Sequence, residues 1–177
     1  MAFTNPEANI GKLSLKHGEI VVDFGAGTGL YSALAAKRVG GAGRVYTIDI
    51  QKDLLINIRD RARAEGITNI ETIWGDVEKL HGSKLDDNFA DAVIISNMLF
   101  QVADKNTVIK EAKRILKPGG RVFLIEWRDS FSHLGPTPDM VLGEGAAKKL
   151  CMDEGLHYED EFELGDHHYG LIFKKDE

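Results

Sequence analysis

An α/β fold, a parallel sheet covered by helices on both faces, is what this chain of 177 residues predicts. Three observations carry that reading. Short apolar runs alternate with segments of helical period along most of the chain. The first run, Val21-Val22-Asp23-Phe24, passes directly into Gly25-Ala26-Gly27-Thr28-Gly29, which describes a buried strand turning sharply into a helix. The alternation ends in a hairpin after the fifth run.

In chain order, Asn5 as N-cap and Pro6 at the first helical position predict a short leading helix. Strands are expected at 20–24, 44–50, 70–74, 91–96 and 121–126. Leu54, Leu55, Ile58 and Ala62 make one apolar helix stripe, and Val108, Ala112, Ile115 and Leu116 make another before Lys117-Pro118-Gly119-Gly120 stops that helix. Residues 128–138 read as a loop, and 139–154 as a last helix with Met140, Ala147, Leu150 and Cys151 inward. Strands at 157–164 and 167–174 close the chain, joined by the primed turn Gly165-Asp166. That register sets Phe162 opposite Tyr169 and Tyr158 opposite Phe173, with Glu159, Glu161 and Glu163 on the other face to protect an edge. Without repeats or low-complexity tracts, residues 1–177 are expected to form a single domain.

A net charge of −6 with no basic stripe argues against a nucleic-acid partner. Arg59, Arg61 and Arg63 are interleaved with Asp60 and Glu65, as on a solvated helix face. One cysteine, Cys151, makes no internal disulfide; with no leader pattern and no apolar run near 18 residues, the expected location is the cytoplasm.

The glycine loop points to a ligand. Alternate glycines let the backbone approach one closely, and the free amides of the following helix face it. The dinucleotide fingerprint G-x-G-x-x-G needs a small sixth residue, which here is Leu30. The pattern is instead G-x-G-x-G, and it resembles the first motif of Rossmann-like, class I S-adenosylmethionine-dependent methyltransferases. An adenosyl ligand asks for an acid at the end of the second strand to accept from both ribose hydroxyls, and Asp49 stands there, 22 positions after Gly27. A second acid, Asp76, follows the third strand, where it can accept from the adenine amine.

The segments at 91–96 and 102–105, and Arg114-Ile115-Leu116-Lys117-Pro118-Gly119-Gly120-Arg121, extend the likeness to the ubiquinone/menaquinone-biosynthesis C-methyltransferases and their small-molecule methyltransferase relatives. The resemblance implies a mixed sheet of order 3-2-1-4-5-7-6 with the last strand antiparallel, and S-adenosylmethionine as cofactor. It implies that Asp23 orients the loop around the methionine moiety and that Gly25, Ala26, Gly27 and Gly29 form the cradle. Asp49, with Ile50 beside it, holds the ribose, Asp76 and the Val77 amide read adenine, and Asn97 offers its backbone to the methionine ammonium.

The quinone enzymes carry a longer insertion between the fifth strand and the last helix, where this chain has a short loop, so acceptor specificity does not carry over. The sequence also lacks the Asn/Asp-Pro-Pro-aromatic signature, reading Ser96-Asn97-Met98-Leu99-Phe100-Gln101, and the acid cluster of metal-dependent relatives. No metal is expected: adjacent strand residues His167 and His168 face opposite ways. His133 and His168 are the candidate catalytic histidines, and Glu126, Trp127, Phe100, Gln101 and Asp129 belong to the same rim. The resulting reading is a methyltransferase acting on a small molecule. Its alternatives are action on RNA or protein with a partner, a non-catalytic cofactor-binding protein, and a nicotinamide oxidoreductase.

Overall fold

The computed structural model describes residues 5–131 and 135–177. Helix α1 (Pro6–Lys12) starts on the Asn5 side chain, which accepts from the amides of Glu7 and Ala8 at 3.1 and 3.3 Å. Then follow β1 (Ile20–Phe24), α2 (Leu30–Val39), β2 (Arg44–Asp49), α3 (Lys52–Ala64), β3 (Ile70–Trp74) and β4 (Ala90–Ser96). A 3-10 turn at Leu99–Gln101 leads into α4 (Lys105–Ile115), β5 (Leu116–Trp127), α5 (Glu144–Asp153), β6 (His157–Glu163) and β7 (His168–Lys174).

The seven strands form one sheet in the order β3-β2-β1-β4-β5-β7-β6, as the resemblance implies. All neighbours from β3 to β5 pair in parallel, and β7 runs antiparallel to both β5 and β6. Strands of this kind must be apolar on both faces. Val22 and Phe24 of β1 pack with Val108, Ala112 and Ile115 of α4 on one face, while Val21 packs with Ala35, Ala36 and Val39 of α2 on the other. Strand order reverses between β1 and β4, and a crevice forms beyond the carboxyl ends of the strands at such a reversal.

Three expectations are corrected. The last helix begins at Glu144, five residues late, and Met140 lies outside it, 39% exposed. β5 begins at Leu116 because Lys117 to Gly120 extend along the chain's end, the Gly119 amide donating to the Lys175 and Asp176 carbonyls. The hairpin register also slips: Tyr158 faces Phe173, but a bulge at Glu159 sets Phe162 opposite Gly170 and Glu163 opposite Tyr169. Phe162 therefore lies on the opposite face from Tyr158, over the space that the absent side chain of Gly170 leaves. The connection spans residues 164–167 rather than two residues. β6 is the exposed, charged edge that the glutamates suggested.

Candidate active site

The glycine loop is pinned to β2, with the amides of Gly25 and Ala26 donating to the Ile48 carbonyl at 2.9 and 3.3 Å. Gly27 sits at φ +53° with nothing nearer than the Gly25 carbonyl oxygen, 4.0 Å from where a Cβ would stand, so backbone conformation is what demands glycine there. Gly25 is different. A Cβ on it would stand 2.6 Å from the Met98 sulfur, which brings the loop against the segment after β4. Gly29 is the N-cap of α2, seated on Ile58 of α3.

Asp49, only 7% exposed, ties this loop to the end of β2: Oδ2 accepts the Gly27 amide at 3.1 Å and Oδ1 the Gln51 amide at 2.8 Å. The carboxylate therefore shapes the loop as well as facing the crevice, a role the strand-end position alone does not predict. Each carboxylate oxygen has a second lone pair to offer. Below the loop, Asp23 accepts the Ser32 hydroxyl at 2.5 Å, and Ser32 in turn accepts the Thr47 hydroxyl at 2.9 Å. Burial pushes the Asp23 carboxyl up to about 7; the bond from Ser32 opposes this and the charge of Asp49 adds to it. Ser32 and Thr47 escaped the sequence reading, and their one signal is a hydroxyl inside an otherwise apolar helix or strand.

Asp76 follows β3. Its Oδ1 accepts the Glu78 amide at 3.1 Å, its Oδ2 pairs with Lys79 at 3.0 Å, and its own amide donates to the Gly82 carbonyl at 3.2 Å. Glu111 of α4, fully buried, holds that loop from behind. It accepts the amides of His81 and Ser83 at 2.8 and 3.1 Å and pairs with Arg114 at 2.8 Å. Burial alone would raise the Glu111 carboxyl, but Arg114, the Ser83 hydroxyl and the two amides together hold it down at about 2.

These pieces enclose a cleft of about 280 Å³. Gly25, Gly27, Asp49, Ile50, Asp76 and Val77 form one side, and Met98, Gln101 and Val102 the other. Six of the residues assigned to the cofactor, and the rim residue Gln101, thus meet in one cavity. Asp23, Ala26 and Gly29 support the loop without lining the cleft, and Asn97 does not line it either. Asn97, at the end of β4, takes φ +50° and donates its amide to the Ile125 carbonyl at 2.8 Å, while its Oδ1 is buried with no hydrogen-bond partner among the described residues.

The histidines stand apart from the cleft. His167 reaches Asp129 at 2.9 Å and stacks on Phe131 at 4.1 Å, so the hairpin connection does meet the loop after β5. His168 faces the other way, 4% exposed and tilted against Trp127 at 4.1 Å, with Nε2 unpartnered among the described residues. Burial pushes its imidazole down to about 4, and it is neutral at pH 7. His133 lies outside the described residues. Among the described residues, no group of three His, Cys, Asp or Glu side chains is arranged to hold a metal ion, and no helix is long and apolar enough to cross a membrane.

A family model described as a methyltransferase domain matches residues 15–165. The ubiquinone/menaquinone biosynthesis C-methyltransferase UbiE of Chromobacterium violaceum is 37% identical over 125 residues, 71% of this chain and 50% of that protein. UbiE of Idiomarina loihiensis is 37% identical over 114 residues, 64% of this chain and 44% of that one. The chain spans about half the length of these curated relatives. Among solved structures, a SAM dependent methyltransferase from Aquifex aeolicus aligns with a TM-score of 0.88 at 26% identity, covering 97% of this chain and 90% of that one. The [4+2]-cyclase SpnF aligns at 0.82 and 17% identity, over 96% of this chain and 79% of that one, a likeness of fold alone. The chain belongs to the methyltransferase domain family, within the Rossmann-like class that uses S-adenosylmethionine.

Proposed function

We propose that the cleft holds S-adenosylmethionine and that the chain transfers its methyl group to a small molecule approaching from the ends of β4 and β5. One observation carries this reading: the carboxylates of Asp49 and Asp76 and the loop of Gly25 and Gly27, from the ends of three different strands, line a single cleft. A nicotinamide dinucleotide site would not need the second acid.

The residues present fit the cofactor. Asp49 keeps lone pairs for the ribose hydroxyls after satisfying Gly27 and Gln51, and Asp76 with the Val77 amide is assigned to adenine. Just past β4, Asn97 Oδ1 is buried with no hydrogen-bond partner among the described residues. Asn97 does not line the cleft, and its assigned contact to the methionine ammonium stays the backbone one that the resemblance implies.

Bound S-adenosylmethionine supplies a methyl carbon already activated by its cationic sulfur. What remains for the protein is alignment, and holding two reactants in near-attack geometry is worth roughly 7–11 kcal/mol in favourable systems. Met98, Phe100 and Trp127 at the rim suit an apolar acceptor face, and the relatives named for quinone biosynthesis support a planar ring as the acceptor class. His168, buried against Trp127 and outside the cleft, is better assigned to packing than to proton removal.

The test is ligand-dependent thermal stability. S-adenosylhomocysteine at about 100 times its Kd should stabilise the fold by roughly 2.7 kcal/mol, while NAD leaves it unchanged. A shift with NAD and none with millimolar S-adenosylhomocysteine would overturn the reading. Methylation of a metabolite extract with labelled donor then identifies the acceptor, and label incorporated only into RNA or protein would replace the small-molecule assignment.

A further inference from the structure

Glu126 is the penultimate residue of β5, fully buried, and it carries a carboxylate into a part of the sheet that is otherwise apolar. Its Oε1 accepts two backbone amides of the segment after β4, Met98 at 2.8 Å and Leu99 at 2.6 Å, while Oε2 lies 3.4 Å from the Trp127 amide. Asn97, at φ +50°, is where that segment turns away from β4. The amides that follow have left the strand ladder, and Glu126 satisfies them.

The same segment forms one wall of the cleft. Met98 packs directly against Gly25 at its edge, and Gln101 and Val102 also line it. A carboxylate on β5 therefore fixes the position of side chains that face the glycine loop on β1. Among the described residues, no lysine or arginine is paired with Glu126; the guanidinium of Arg128 reaches Glu144 and Glu163 instead. The groups packed around it are Tyr169 of β7, whose hydroxyl donates to the Leu142 carbonyl at 2.6 Å, and beyond Tyr169, Cys151 and Glu144 of α5.

We propose that Glu126 is a positioning residue for the donor site: by holding the Met98 and Leu99 amides it sets the cleft wall, so ligand binding is coupled to the charge on this carboxylate. The proposal rests on the reading of the cleft as a donor site. Burial raises the Glu126 carboxyl to about 7, against the pull of the Leu99 and Met98 amides, so the clamp changes charge near neutrality. The sign follows from the hydrogen bonds. Two amides bind the ionised form, so a ligand that needs the wall in place favours ionisation and binds more tightly as pH rises through 7.

Calorimetry of S-adenosylhomocysteine at pH 6 and pH 8 tests this in the wild-type protein, Glu126→Gln and Glu126→Asp. Wild-type affinity should rise at least fivefold from pH 6 to pH 8. Glu126→Gln should bind several-fold more weakly at pH 8 and lose most of the pH dependence; Glu126→Asp, too short to reach both amides, should resemble it. Asp23 also titrates near 7 beneath the loop, so the diagnostic quantity is the difference between wild type and Glu126→Gln. Should the variants fail to fold, hydrogen exchange in the wild type decides. Protection of the Met98 and Leu99 amides, corrected for intrinsic exchange, should fall at least fivefold from pH 8 to pH 6. Equal pH dependence in wild type and Glu126→Gln, or protection that ignores pH, overturns the proposal alone. A wild-type protein that takes up no S-adenosylhomocysteine overturns the donor reading and this inference with it.

Discussion

The Asp49 carboxylate accepts the Gly27 amide over 3.1 Å, joining the end of β2 to the loop that leaves β1. An acid at this strand end therefore serves two ends: it fixes the loop before a ligand arrives and offers its remaining lone pairs afterwards. Asp49→Ala should weaken S-adenosylhomocysteine binding by about 1.5–3 kcal/mol, the usual worth of hydrogen bonds to a charged group. Because the loop anchor is lost as well, the variant should also melt a few degrees lower. Calorimetry beside a melting curve checks both, and unchanged affinity in a folded variant would remove Asp49 from the binding site.

Gly25 and Gly27 should fail differently when substituted. Gly27 has nothing nearer than 4.0 Å to its missing Cβ, and Gly27→Ala should cost only the strain of a positive φ, about 1 kcal/mol. Gly25→Ala carries the same strain and drives a methyl group into Met98, so it should destabilise by about 1–3 kcal/mol more, as overpacked sites do. Gly27→Val should crowd the cleft itself. Comparing chemical unfolding of the two alanine variants tests the asymmetry; equal losses would contradict the packing argument.

The central strands were legible because they are largely apolar and buried on both faces, as Ala92 to Ile95 is throughout and Val21 to Phe24 is apart from Asp23. The acids Asp49 and Asp76 were legible because they stand at or just past the ends of consecutive strands. Ser32, Thr47 and the clamp of Glu126 were not, since a buried polar group is recognisable only through the partner that satisfies it. Those partners lie 9 to 28 residues away in sequence. The hairpin register failed for a related reason: alternation in 157–163 is compatible with either pairing, and Phe162 chooses the side where Gly170 leaves room.

Glu111 supports the loop behind Asp76 through Ser83, His81 and Arg114. Glu111→Ala should destabilise the protein by about 1–3 kcal/mol, because it leaves the His81 and Ser83 amides without their acceptor, while Arg114 keeps Asp87 and the Leu85 carbonyl. Glu111→Gln keeps the shape and one acceptor oxygen and should lose less. Denaturant midpoints order the three proteins, and an alanine variant as stable as the wild type would show that the loop has no need of this anchor.

His168 provides the last test because its burial makes a definite statement about acid. Its folded pKa of about 4 lies below the ordinary value of 6.5, so the unfolded chain binds the proton more readily. Stability that is fully present above pH 6.5 should then fall as pH drops toward 4, by about 3 kcal/mol in all at 1.36 kcal/mol per unit. The ring lies tilted against Trp127, and among the described residues Nε2 has no acceptor to receive the added hydrogen. His168→Phe keeps an aromatic ring on Trp127 and has nothing to protonate. It should match the wild type near pH 7 and surpass it near pH 4.5, while leaving S-adenosylhomocysteine affinity intact because His168 does not line the cleft. Nuclear magnetic resonance titration of the imidazole reads the pKa directly. A midpoint near 6.5 would mean that the ring is solvated, and the acid-stability difference between the two proteins should then vanish.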